Sequence, residues 1–128
     1  MTDQPEPVVR TAAPGSGCTV ESQQVDTTTV LSVAGTLDTL TVPHLQAAIT
    51  AAAAASPAAL IVDLSAVEFL ASVGMGILVS THAELTPAIR FAVVADGPAT
   101  SRPLKLVGIA EIVDLYATRE EALTAVLA

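Results

Sequence analysis

Four consecutive residues, Ala59-Leu60-Ile61-Val62, constrain this chain more than any other feature, because all four are apolar and no polar position alternates with them. A strand that faces water on one side alternates apolar and polar side chains. A strand without that alternation is covered on both faces, as the central strands of parallel sheets are. The chain is therefore read as α/β layers with this strand at the centre. The apolar run breaks at Asp63 to Ser65, and a helical pattern resumes behind Ser72 and the closely spaced Gly74 and Gly76. Strand, loop and helix start in succession is where α/β domains carry their functional groups.

The flanking segments fit the same architecture. Thr19-Val20-Glu21-Ser22 alternates as an edge strand, Asp26-Thr27-Thr28 turns the chain, and Thr29 to Ala34 returns as its antiparallel partner. Gly35-Thr36-Leu37-Asp38-Thr39 ends that strand, and Thr41 caps a helix with Pro43 in its first turn, stopped by Ser56-Pro57. Arg90 to Ala95 is a further strand, Ala99 to Val107 a short helix ended by Gly108, and Ile112 to Tyr116 a last strand. Thr118-Arg119-Glu120-Glu121 has capping-box spacing for a closing helix through Leu127. The predicted order is ββαβαβαβα.

Length and charge narrow the function. The 128 residues hold one domain. Residues 1–16, rich in Pro, Gly, Ala and Thr without a sustained period, are expected to be a disordered tail ahead of a domain over 17–128. Thirteen acidic residues against five basic ones give a net charge of −8, which repels phosphate backbones and anionic membranes, so no direct nucleic-acid or membrane partner is expected. No 20-residue uncharged apolar run occurs and the N-terminus lacks a secretion signal, so a cytoplasmic location is expected. Cys18 is the chain's one cysteine and no Cys/His cluster of zinc spacing accompanies it, so no metal or cofactor is expected.

Catalytic motifs are sparse. His44 and His82 are the imidazole bases on offer, neither beside a nucleophile motif, and both read as surface or packing residues. Gly74-Met75-Gly76 lacks the third glycine and the lysine of a nucleotide loop. Asp38, Asp63 and Asp96 each follow a strand and could converge on one end of the sheet, as the acidic cluster of a receiver-like phosphoacceptor domain does; their local reading is turn formation. Ser72 either caps its helix or carries a phosphate, which the unpaired amides and dipole of a helix start would stabilise.

Three stretches taken together resemble a known family. Val33-Ala34-Gly35-Thr36-Leu37-Asp38 looks like a strand-ending Gly-x-Leu-Asp element. Leu64-Ser65-Ala66-Val67-Glu68-Phe69-Leu70-Ala71-Ser72-Val73-Gly74-Met75-Gly76 looks like a Leu-x-x-Val-x-Phe-[Leu/Met]-Asp-Ser-Ser-Gly-Leu-Gly signature, and Gly97-Pro98-Ala99 to Gly108-Ile109 looks like the third helix. The family is the STAS domain (sulfate transporter and anti-sigma-factor antagonist), and within it the small stand-alone bacterial anti-sigma-factor antagonists; the resemblance spans Thr19 to Leu127. It implies an α/β STAS fold, a mixed four- to five-stranded sheet with about four helices mainly on one side.

The resemblance implies a binding switch and not an enzyme. In the family, the unphosphorylated antagonist binds an anti-sigma factor that is also a serine kinase and so frees a sigma factor; phosphorylation of the second serine of Asp-Ser-Ser-Gly ends the binding. Carried over position by position, the Asp is Ala71, the first Ser is Ser72, the acceptor Ser is Val73 and the Gly is Gly74. Valine has no hydroxyl, so the usual switch cannot act at its usual atom. The favoured reading is an antagonist lacking that switch, governed by its amount, by another signal or by phosphorylation at Ser72. A paralogue tuned to a different kinase-like partner and a ligand- or nucleotide-binding STAS module are the alternatives. The implied partner-binding residues are Asp38, Ser72, Val73, Gly74, Met75 and Gly76, and self-association is expected to go no further than a weak homodimer.

Overall fold

The computed structural model describes residues 9–12 and 17–127. In chain order the elements are β1 (Val9–Ala12), β2 (Cys18–Val25), β3 (Thr28–Leu37), α1 (Val42–Ala54), β4 (Ala59–Leu70), α2 (Ser72–Leu85), β5 (Arg90–Val94), α3 (Ser101–Leu106), a 3-10 turn (Ile109–Glu111), β6 (Asp114–Tyr116) and α4 (Arg119–Leu127). The strands form a single sheet in the order β1-β2-β3-β4-β5-β6. The pairs β1–β2 and β2–β3 are antiparallel, and β3 through β6 run parallel.

The uninterrupted apolar run has the cause expected of it. β4 lies between β3 and β5, and its side chains alternate between two cores: Leu60, Val62 and Leu64 join one, Ile61 the other. The larger core is closed by Leu45 and Ile49 of α1, Ile77 and Leu78 of α2 and Leu104 of α3. The smaller one joins Val30, Ile61, Ala92 and Val94 to Ala122 of α4. Three helices thus cover one face and one covers the other. Leu31, Leu37, Leu45, Leu60, Leu64 and Leu78 are fully buried, each stabilising the fold by about 1.5–3 kcal/mol.

The sequence reading needs three corrections here. Residues 9–12 of the segment read as a tail form β1, which pairs Val9 to Ala12 with Ser22 to Thr19 and adds a sixth, edge strand to the expected mixed five-stranded sheet. The rest of that segment, 1–8 and 13–16, lies outside the described residues. β4 does not break at Asp63 but runs on to Leu70, because Asp63 keeps its ladder positions opposite Ser32 and Val94. The third helix is shorter than expected, Ser101–Leu106; Pro103 fits in its first turn, where no intrahelical N–H bond is lost, and Gly108 at φ +85° ends the segment. The capping signal at the last helix holds: the Glu121 amide donates to Thr118 Oγ1 (3.1 Å) and Glu121 Oε1 accepts from the Ala117 amide (3.2 Å).

Candidate functional site

The parallel pairing of β3 and β4 ends flush, with Thr36 opposite Phe69 and Leu37 opposite Leu70. The Ala71 amide adds one last bond to Leu37 O (2.9 Å), after which Ala71 O accepts from the Gly74 and Met75 amides (2.9 and 3.1 Å) and α2 begins. Ala71 is the N-cap residue, extended at φ −79° and ψ 165°, and no side chain caps the helix. Ser72 is therefore not the cap: it is the first helical residue, exposed, and its amide and that of Val73 precede the helix's first intrahelical bond.

The two glycines behind Ser72 have different roles. Gly74 is buried, and a Cβ there would stand 2.8 Å from Leu70 Cδ1 and 3.2 Å from Leu37 Cβ, so its bare backbone lets α2 rest on the ends of β3 and β4. It is occupied by this chain's own packing and presents nothing outward. Gly76 is exposed with nothing within 4 Å of an added Cβ. Ser72, Val73 and Gly76, three and four residues apart, share the outward face of the first turn, while half-buried Met75 turns onto the large core.

Across from this turn is the loop joining β3 to α1. Asp38 Oδ1 accepts from the Leu40 amide (3.0 Å) and the Thr41 amide (3.1 Å), the Asp38 amide donates to Thr41 Oγ1 (2.9 Å), and that hydroxyl donates to Thr36 O (2.7 Å). Thr41 is fully buried by this arrangement, and its hydroxyl points back into the loop instead of capping α1. Asp38 thus acts by holding the loop, and the residue the loop projects is Leu40, 81% exposed. Gly35, at φ +97°, permits the close approach upstream: a Cβ would fall 1.7 Å from Gly17 O, to which the Thr36 amide donates at 3.0 Å.

The carboxyl ends of β3 and β4 and the segments that follow them thus carry three exposed apolar side chains, Leu40, Phe69 (56% exposed) and Val73 (39% exposed), with exposed Ser72 and Gly76 on the same turn as Val73. Leu40 and Phe69 were missed by sequence reasoning, although an apolar residue inside a polar capping loop and a phenylalanine at a strand's last outward position are both signals of this kind. Asp38 and Glu68 lie on the same segments, and the sequence carries no lysine or arginine between Arg10 and Arg90. Cys18 packs in the core behind the loop, where burial pushes its thiol pKa up against a lowering hydrogen bond with Thr41, and nearby Asp38 adds to the rise.

Asp38 and Asp63 do not converge. Asp63 is level with Ser32, six positions before Asp38 along the paired strands, or about 20 Å. Its Oδ1 accepts from the Ser65 amide (2.9 Å) and hydroxyl (2.6 Å), and its Oδ2 is held by Arg119 Nε and Nη2, both at 3.1 Å. Arg119 Nη2 also donates to Ser32 Oγ at 2.7 Å. A carboxylate so committed is unsuited to accepting a phosphoryl group, and no group of three His, Cys, Asp or Glu among the described residues is arranged to hold a metal ion. This overturns the receiver-like reading. His82 packs against Phe91, ring centroids 6.5 Å apart, and His44 sits half-buried in the first turn of α1.

A profile of the STAS domain matches residues 19–122. The chain belongs to the STAS domain family. The anti-sigma-F factor antagonist RsfB of Mycobacterium tuberculosis is 44% identical over 97 residues, covering 76% of this chain and 80% of RsfB. The crystal structure of an anti-sigma factor antagonist from Mycobacterium paratuberculosis, 47% identical, superposes with a TM-score of 0.85 over 92% of this chain and 100% of its own. The Bacillus cell fate determinant SpoIIAA in its phosphorylated form shares the fold at 24% identity and a TM-score of 0.63, over 84% of this chain and 98% of its own. The STAS signature thus maps onto the end of β4 and the first turn of α2, with Val73 on the outward face of that turn.

Proposed function

We propose that this STAS domain is an anti-sigma factor antagonist that docks on a kinase-like anti-sigma factor through Leu40, Phe69, Ser72, Val73 and Gly76, releasing a sigma factor in the cytoplasm. The observation that carries the proposal is the set of exposed apolar side chains at the carboxyl ends of β3 and β4 and on the segments that follow them, on a chain 44% identical to a protein named for that activity. Large apolar side chains turned to water, with exposed Gly76 on the same turn as Val73, are what a partner's surface would cover. Asp38 and Glu68 on these segments fit a partner surface with apolar residues at its centre and a basic rim, which steers association. No described helix is long and apolar enough to cross a membrane.

Val73 defines the regulation in this proposal. A phosphate on this turn would add about −1.5 to −2 charges to an apolar contact. Valine cannot carry one, so the surface stays competent to bind unless Ser72, the exposed hydroxyl next to it, is the acceptor. The test uses the anti-sigma-F factor of M. tuberculosis as probe. The unaltered chain binds it in calorimetry, and Val73→Glu lowers affinity by about 100-fold or more, the consequence of desolvating a carboxylate in an apolar contact. Circular dichroism stays unchanged because position 73 is exposed. Equal affinity of the variant would sink the docking proposal. After incubation with a kinase-active probe and ATP, Val73→Ser acquires phosphate at position 73; stoichiometric phosphate on Ser72 of the unaltered chain would restore a switch one residue away.

A further inference from the structure

Among the described residues Leu40 is the most exposed large apolar side chain, yet the turn that carries it is closely bonded. Asp38 accepts from the Leu40 and Thr41 amides through Oδ1, and its backbone carbonyl accepts from the Thr41 and Val42 amides at 3.2 and 2.9 Å. The Thr41 hydroxyl closes the turn from inside. It accepts from the Asp38 amide (2.9 Å) and donates to Thr36 O (2.7 Å), so one buried group joins the strand end to the loop. The Thr36 amide donates in turn to Gly17 O (3.0 Å), just ahead of β2. A continuous run of hydrogen bonds therefore leads from Gly17 through Thr36, Thr41 and Asp38 to Leu40.

Leu40 itself belongs to neither buried cluster, so these bonds fix the backbone of a side chain that its own core does not use. A loop held in one conformation loses little freedom when a partner covers it. A loose loop binds only through the fraction of molecules that hold the competent shape, and its apparent affinity falls by that fraction. Thr41 is 0% exposed, which keeps its hydroxyl out of a partner's reach. Valine at position 41 would nearly match the side chain in shape and leave the Asp38 amide and the Thr36 carbonyl without that partner.

We infer, resting on the reading above that Leu40 docks on the anti-sigma factor, that Thr41 is a positioning residue for that binding: its hydroxyl locks the turn that presents Leu40 and touches no partner. An effect passed entirely through Leu40 has a ceiling. Thr41→Val costs no more affinity than removing the Leu40 side chain, and it costs nothing further once that side chain is gone.

The experiment is a double-mutant cycle of Thr41→Val and Leu40→Ala in the full chain, read by calorimetry against the anti-sigma-F factor of M. tuberculosis. Amide hydrogen exchange of the free chains, followed by nuclear magnetic resonance, accompanies it. Leu40→Ala is expected to weaken binding by about 10-fold and Thr41→Val by about 3- to 10-fold, while the double variant binds as Leu40→Ala does. In the free chain Thr41→Val speeds exchange of the Leu40 amide by about 10-fold. Thr41→Ser keeps the hydroxyl and restores both readouts. Asp38→Ala removes the acceptor of the Leu40 amide and carries the same expectations, which tests the turn even if Thr41→Val does not fold. Unchanged binding by Thr41→Val where Leu40→Ala weakens it, a further loss in the double variant, or unchanged exchange at Leu40 would each overturn the positioning role and leave the docking surface standing. Failure of the unaltered chain to bind, or full binding by Leu40→Ala, would instead overturn the docking of Leu40, and the role of Thr41 with it.

Discussion

Arg119→Met removes the guanidinium that joins α4 to the sheet while retaining the stem of the side chain. Arg119 Nε and Nη2 both reach Asp63 Oδ2 at 3.1 Å, and Nη2 reaches Ser32 Oγ at 2.7 Å. The Asp63 side chain is 8% exposed, so the substitution strands a carboxylate that cannot recover full hydration. Removing one partner of a fully buried pair costs about 3–5 kcal/mol. Arg119 is 37% exposed, which screens the interaction, and Asp63 Oδ1 keeps both bonds from Ser65, so the expected loss is about 2–3 kcal/mol. For a domain of this size that lowers Tm by about 8–12 °C. The assay is urea unfolding followed by circular dichroism, run as a double-mutant cycle with Asp63→Asn. Asp63→Asn alone leaves the guanidinium without its carboxylate, and the double variant, which buries no unpaired charge, is expected to regain about 1–2 kcal/mol over the sum of the single losses. A loss under about 0.5 kcal/mol for Arg119→Met, or strictly additive single losses, would refute the account of Asp63 as a structural ion-pair member. Anti-sigma factor binding at 25 °C should be unchanged, because α4 packs on the face of the sheet opposite α1 and α2.

Three other outcomes follow from the same geometry. Phe69→Asp and Leu40→Asp are expected to leave the unfolding curve within about 0.5 kcal/mol of the parent, since both side chains are exposed, while weakening probe binding in calorimetry by about 10-fold or more each. Gly74→Val should cost about 1–3 kcal/mol in urea unfolding, because its Cβ meets Leu37 and Leu70, whereas Gly76→Ala meets nothing and should gain up to about 1 kcal/mol of helix propensity; a gain at 74 or a loss at 76 would contradict the packing described. Burial raises the Cys18 pKa in the folded chain above its ordinary value of 9.0, so the unfolded chain loses that proton first and holds fewer protons above that pH. The thiol's contribution to stability is therefore complete below about pH 8.5 and declines as pH rises beyond it, and Cys18→Ala should flatten that decline in unfolding curves measured from pH 7 to 10.

Much of the fold was legible because it rests on local pattern. The apolar run at 59–62, the alternation at 19–22, the proline at 57, Gly108 and the Thr118–Glu121 box each act within one or two turns of chain, and the elements they mark are present. β1 was not legible: its pairing to β2 is decided across the gap between them, and four residues hold too little alternation to announce a strand. Asp63 was misread because an aspartate after an apolar run signals a turn unless a cation meets it, and the cation is 56 residues away. At the proposed docking site, the signature pointed to the first turn of α2 and treated its residues as equivalent. The structure separates them: Gly74 serves the packing, Asp38 holds a loop, and Leu40 and Phe69 stand exposed.

The sequence by itself determined the layer type, the centre of the sheet, the family and the valine on the first turn of α2, because residue identity and spacing suffice for each. Only the tertiary structure decided which of those residues water reaches. Exposure belongs to a residue's neighbours and not to its type: Leu37 is buried under α2 while Leu40, three positions on, stands in solvent, and only the seating of α2 on β3 and β4 makes that difference.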